Sequence, residues 1–176
     1  MKILTLLRHA KSSWDDRVAR DFDRPLNARG RKAARTIGRE MRAQGLAFDQ
    51  ILASPAVRVV ETLDEVAEGY GAILDVEYDE RLYLATIPAL LEVVRGADDE
   101  ADRLLIVGHN PGLENLTLTL AGEGALRSKV TVKYPTGTVA EIRFGIDNWI
   151  DVEEGKGELT RFIRPRDLDP ELGPDS

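Results

Sequence analysis

The chain has 176 residues, 43% of them hydrophobic, and a formal net charge of −7. This length supports one domain with its own core, and so acidic a balance offers no general attraction to nucleic acid or anionic lipid, so neither is expected as a partner. The absence of cysteine excludes disulfides, thiolate zinc sites and cysteine nucleophiles.

Strand-like sequence begins at Lys2, leaving no space for a secretory leader, and no apolar run approaches a membrane span, so a cytoplasmic protein is expected. Apolar runs of strand length then alternate with stretches of helical period, the pattern of a mostly parallel sheet covered by helices. Strands are predicted over Lys2–Leu7, Gln50–Ala53, Leu74–Val76 and Arg103–Val107. A first helix is predicted from Ala28 to Gln44, with Asn27 as its cap, Gly45 as its stop, and Ala33, Ala34, Ile37 and Met41 on one face. Further helices are predicted over Ala56–Glu68, Ile87–Arg95, opened by Thr86 and Pro88, and Pro111–Leu120. Beyond Leu120, strands are predicted over Val130–Val132, Val139–Phe144, Trp149–Val152 and Glu158–Ile163, with a hairpin turn at Gly155-Lys156-Gly157. They extend the sheet of one domain spanning residues 1–168. Proline, aspartate and glycine dominate from Pro165, predicting a loosely held end, with residues 169–176 a flexible tail.

The chain contains neither a phosphate loop ending in Gly-Lys-Ser/Thr nor a Gly-x-Ser-x-Gly elbow. Asp21-Phe22-Asp23 has the spacing of paired aspartates in magnesium-dependent phosphatases, but those follow a buried strand, and Asp16–Arg20 is no such strand. With two widely separated histidines and no cysteine, no metal site is expected. Histidine with arginine remains. The histidines are His9 and His109, and each follows a predicted strand, where α/β proteins build ligand sites. A neutral imidazole attacks phosphorus well if the phosphoryl oxygens are held and their charge is matched. Arg8 offers a planar fork for two of those oxygens. Arg58 offers a second from the first turn of a predicted helix, and His109 completes the cradle. Guanidinium charge nearby should keep His9 neutral.

Leu6-Leu7-Arg8-His9-Ala10 resembles the Arg-His-Gly signature of the histidine phosphatase superfamily, with Ser54-Pro55 and Arg58 resembling its second motif and His109 its third. More narrowly, four segments are similar to the phosphohistidine phosphatase branch, the SixA-like proteins: Arg8–Trp14, Asp21–Asn27 with Gly30, Val107–Pro111, and Tyr134-Pro135-Thr136-Gly137. The resemblance implies a three-layer α/β/α sandwich of phosphoglycerate mutase type, its mostly parallel central sheet carrying a C-terminal antiparallel extension. It also implies phosphoryl transfer to His9 and then to water, with Arg8, Arg58 and His109 binding phosphate and no metal or organic cofactor. The implied partner is a phosphorylated protein, a phosphohistidine carrier, with a small phosphorylated metabolite as the alternative and a non-catalytic phosphoprotein-binding module as the contrasting reading.

An ester leaves as an alkoxide and needs a general acid, whereas a protonated phosphoramidate leaves with less help. In the ester phosphatases of the superfamily a glutamate supplies that proton, which makes Glu80, in Asp79–Tyr83, the candidate acid here. A solvated loop carboxylate is the competing reading, and Asp15, Asp16 or Asp21 could substitute. Ala10 stands where the family has glycine. Asp15 stands where many relatives have a phosphate-donating asparagine; its charge would repel phosphate, so it is expected to face the leaving group or solvent. Arg31, Arg35, Arg39 and Arg42 share one face of the first helix. They form either a solvated face or a docking strip for an acidic phosphoprotein.

Overall fold

The computed structural model describes residues 1–14 and 20–173. Its single six-stranded sheet has the order β3-β2-β4-β1-β5-β6. The strands are β1 (Lys2–Arg8), β2 (Gln50–Ala53), β3 (Glu77–Tyr78), β4 (Arg103–Gly108), β5 (Val139–Phe144) and β6 (Glu158–Ile163). β1 to β4 run parallel, while β5 is antiparallel to β1 and β6 to β5, which makes the C-terminal part the expected extension.

Side chains alternate along each strand, and both faces are apolar. Leu4, Leu6, Leu104 and Ile106 pack with α3 (Ile87–Arg95) and α4 (Gly112–Leu120). Leu7, Ile51, Leu105 and Val107 pack with α1 (Ala28–Ala43) and α2 (Val57–Tyr70) on the other face. A sheet buried on both sides reads as continuous hydrophobic sequence, which is why β1 and β4 are legible as apolar runs. Asn27 caps α1 by accepting from Gly30 N–H at 2.8 Å, and Gly45, at φ 73°, follows its end. Thr86 caps α3 in the same way.

Four segments differ from expectation. Leu74 and Val76 are not a strand; they pack onto the core from a loop, and the edge strand follows at Glu77–Tyr78. Arg127–Val132 is a short helix, α5, because burying Val130 beside Tyr134, Ala140 and Phe162 outweighs the extended preference of its β-branched residues. Trp149–Asp151 is a 3-10 turn that buries Trp149 completely and points its Nε1–H at the Ala101 carbonyl, 2.8 Å away. The end of the chain, read from composition as loose, forms α6 (Pro165–Leu168) and a 3-10 turn at Pro170–Leu172 with Leu172 buried. Among the described residues no helix is long and apolar enough to cross a membrane.

Candidate active site

Strand register sets the site. Arg8 pairs with Gly108 and Ala53 with Val107, so β1, β2 and β4 stop level with one another at their carboxyl ends. The next residue of each strand is therefore delivered to one edge: His9 N–H donates to Gly108 O and Ser54 N–H to Val107 O, both at 3.0 Å. The result is a cleft of about 480 Å³ bordered by Arg8, His9, Arg58 and His109. A larger groove of about 780 Å³ between α2 and residues 71–78 is lined by Leu63, Ala67, Ile73 and their neighbours and holds neither histidine nor arginine.

His9 is buried, and its Nδ1 lies 2.7 Å from the Ala10 carbonyl oxygen. A carbonyl only accepts, so Nδ1 carries the proton and the Nε2 lone pair is free for attack. Burial first, and then the proximity of His109 and the guanidinium charges of Arg8 and Arg58, hold its pKa well below the ordinary value; the Ala10 hydrogen bond only partly opposes them. The expected guanidinium effect is present, but desolvation exceeds it. The His9 and His109 ring centroids are 5.3 Å apart.

Both nitrogens of His109 are engaged. Arg58 Nη2 lies 3.2 Å from Nδ1, which must accept, so the Nε2–H donates to Ser54 Oγ at 2.8 Å. Burial and the Arg58 charge lower the His109 pKa to about 3, so the ring is neutral at physiological pH. Arg58 also donates to Asp21, from Nη1 to the carbonyl at 2.8 Å and from Nη2 to Oδ2 at 3.0 Å. Tyr83 OH donates to the same Oδ2 at 2.7 Å, and Arg24 Nε to Oδ1 at 3.1 Å. Partial burial works against ionisation of Asp21, yet these donors hold its pKa down at about 2.

Arg8 Nη1 donates to the Tyr134 carbonyl at 2.9 Å, an oxygen shared with Asn110 Nδ2 at 3.1 Å. The backbone around Arg8 is fixed by the segment that follows α5: Arg8 N–H donates to Thr138 O, and Gly137 N–H lies 3.1 and 3.0 Å from the carbonyls of Arg8 and His9. The Nε atoms of Arg8 and Arg58 are buried and have no hydrogen-bond partner. Two guanidinium groups border the same cleft as an electron pair on a neutral imidazole, an arrangement suited to binding a tetrahedral oxyanion and attacking its centre.

The structure brings together His9, Arg8, Arg58 and His109, but not Glu80. Asp79 caps the 3-10 turn Glu80–Leu82 and pairs with Arg81 at 2.7 Å, while Leu82 is buried. That anchoring leaves Glu80 exposed and outside the cleft lining. Asp21 does border the cleft; Asp15 and Asp16 lie outside the described residues. Of the arginine face on α1, Arg31 and Arg35 bridge to Glu61 and Glu65 of α2 at 3.6 and 3.0 Å. Arg42 lies over Tyr70, and Arg39 donates to Thr36 within α1. Sequence reasoning missed the Asp21–Tyr83 contact and the acceptor role of Ser54. Among the described residues no group of three or more His, Cys, Asp or Glu could hold a metal ion.

The chain is 36% identical over 164 residues to an uncharacterized protein of Mycobacterium tuberculosis, an alignment covering 91% of this chain and all of the relative. Two solved structures share the fold, both SixA proteins provisionally assigned as phosphohistidine phosphatases. That of Agrobacterium tumefaciens has 29% identity and a TM-score of 0.79 over 93% of this chain and 98% of its own. That of Nakamurella multipartitia has 27% identity and a TM-score of 0.81 over 93% of this chain and 96% of its own. The sequence profile of the histidine phosphatase superfamily (branch 1) matches residues 4–83, the segment that carries Arg8, His9, Ser54 and Arg58. With His9 and His109 at the ends of neighbouring parallel strands and Arg8 and Arg58 bordering the same cleft, the chain belongs to the histidine phosphatase superfamily.

Proposed function

We propose that the protein removes the phosphoryl group from phosphohistidine on another protein, with His9 as transient carrier. The His9 Nε2 lone pair attacks phosphorus, and the substrate's P–N bond breaks with its electrons returning to the substrate imidazole, which leaves neutral if it was protonated. Arg8 and Arg58, which both border the cleft, supply the oxyanion with guanidinium N–H donors. Nδ1–H keeps its bond to Ala10 O throughout, so the phosphorylated ring carries positive charge next to a carbonyl dipole. Water then attacks phosphorus, the P–Nε2 electrons return to His9, and the water proton leaves with phosphate or to solvent.

The observation that carries this choice of leaving group is the state of Asp21. It is the one carboxylate among the described residues that borders the cleft, and with a pKa of about 2 it has no proton to give at neutral pH. Among the described residues no carboxylate at the cleft holds a proton for an alkoxide leaving group, whereas a phospho-imidazolium brings its own. The SixA names of the solved relatives point the same way. The test is turnover of phosphohistidine proteins beside sugar phosphates and nucleotides. Preference for phosphohistidine is expected, together with an acid-labile phosphate on the enzyme that is lost in His9→Ala. Preference for an ester would replace this reading with a small-ester phosphatase. No turnover and no labelled enzyme with any donor would leave a phosphoprotein-binding module.

A further inference from the structure

Trp14 is 79% exposed and borders the cleft, yet its ring is held in place. The Arg24 guanidinium carbon sits 3.6 Å from its ring centroid. Arg24 is itself fixed by donating to Ser12 Oγ at 2.8 Å, Ser13 O at 3.3 Å and Asp21 Oδ1 at 3.1 Å, and its side chain is only 12% exposed. An indole that stays in water contributes little to folding through burial. What the Arg24 scaffold achieves is orientation: one ring face is occupied and the rest is presented at the cleft mouth, where Leu84, 55% exposed, also reaches the rim.

A phosphoryl group held by Arg8, Arg58 and His9 fills only part of the 480 Å³ cleft, and the remainder must take the leaving group. Outside the phosphate cradle that space is bordered by Trp14, Leu84 and Thr136 with the cationic Lys11 and Arg24. We propose that Trp14 is a specificity-determining residue whose exposed ring stacks on a planar heteroaromatic leaving group, the imidazole of phosphohistidine. This rests on the phosphohistidine reading above. Protonated phospho-imidazole is both flat and cationic at the ring, and an indole face attracts such a group through dispersion and its quadrupole. An aliphatic ester offers neither property.

The test compares Trp14→Ala and Trp14→Phe with wild type on two substrates sharing the P–N bond: phosphohistidine, which has a ring, and phosphoramidate, whose leaving group is ammonia. Inhibition by inorganic phosphate reports on the cradle. Trp14→Ala should lower kcat/KM for phosphohistidine about 3- to 10-fold, while phosphoramidate turnover and phosphate inhibition stay within about twofold. Trp14→Phe should recover most of the loss, and an exposed position spares the fold in both variants. Unchanged phosphohistidine turnover in Trp14→Ala, or equal loss on both substrates, overturns the assignment of Trp14 alone. Wild-type enzyme that does not turn over phosphohistidine overturns the proposed function and the Trp14 assignment with it.

Discussion

Arg58 grips Asp21 twice, donating from Nη1 to its carbonyl at 2.8 Å and from Nη2 to its carboxylate at 3.0 Å, and the same Nη2 reaches His109 Nδ1 at 3.2 Å. Asp21 therefore sets where Arg58 can place its remaining donor, and Arg58 fixes the tautomer of His109. The carboxylate serves here as a positioning group. Asp21→Asn keeps the shape and removes the charge, so kcat should fall about tenfold, in line with the loss of a charge-assisted hydrogen bond. Inhibition by phosphate should not weaken, because the cleft becomes more positive. A pH profile with unchanged kcat would show that Arg58 does not need this partner. The same group contributes to acid stability. Its pKa in the folded chain lies below the ordinary 3.8, at about 2, so its contribution is present above pH 4 and lost as pH falls from about 4 to 2.

His9 and His109 are the chain's only histidines, and both have pKa values below the ordinary 6.5, His109 at about 3. Depressed values mean that the unfolded chain binds protons first as pH drops. Their stabilising contribution is thus complete above about pH 6.5 and erodes below it, by roughly 1.4 kcal/mol per pH unit for each ring. Urea unfolding between pH 7 and 5 should show wild-type stability falling, with a shallower slope in His9→Gln and in His109→Gln. The carboxylates with lowered values act further down the scale. Equal slopes in all three proteins would mean that the rings are not held neutral by burial.

The resemblance to ester phosphatases makes Glu80 the candidate acid, but the capped turn Glu80–Leu82 keeps it exposed and outside the cleft lining. Glu80→Gln should leave turnover of both phosphohistidine and esters within about twofold of wild type, as expected for a surface substitution. Selective loss of ester turnover, measured on p-nitrophenyl phosphate, would return the acid role to Glu80.

The contrast between Glu80 and His9 shows what sequence can carry. Arg8, His9 and His109 were legible because each falls where a run of apolar residues ends, and parallel pairing in level register then brings such positions together. Arg58 was legible as the first turn after β2. Asp21 stands out in the Asp21–Asn27 motif, but it contacts Arg58 and Tyr83 across 37 and 62 residues from within a short turn that has no hydrophobic period, so its positioning role is not written locally. The missed elements share one cause. Leu74, Val76, Val130 and Trp149 are apolar because they fill the core, and filling the core does not require an extended backbone.

Gly137 ties the far end of the chain to this chemistry. Its φ of 74° is in the left-handed region, and its N–H points at the carbonyls of Arg8 and His9. A Cβ there would meet Pro165 Cγ at 3.0 Å. Gly137→Ala therefore meets two costs, a backbone conformation disfavoured by roughly 1–2 kcal/mol for a residue with a side chain and a crowded contact with α6. If the turn relaxes to relieve them, the N–H leaves the Arg8 and His9 carbonyls, and the nucleophile loses part of the frame that aims it. The thermal midpoint should drop, and kcat should fall by more than KM changes, since the binding arginines keep their own partners. Pro165→Ala removes the crowding without altering φ, so combining it with Gly137→Ala should recover some stability but little of kcat. Full recovery of kcat in that double variant would mean that the contact with Pro165, and not the turn conformation, is what holds Arg8 and His9 in place.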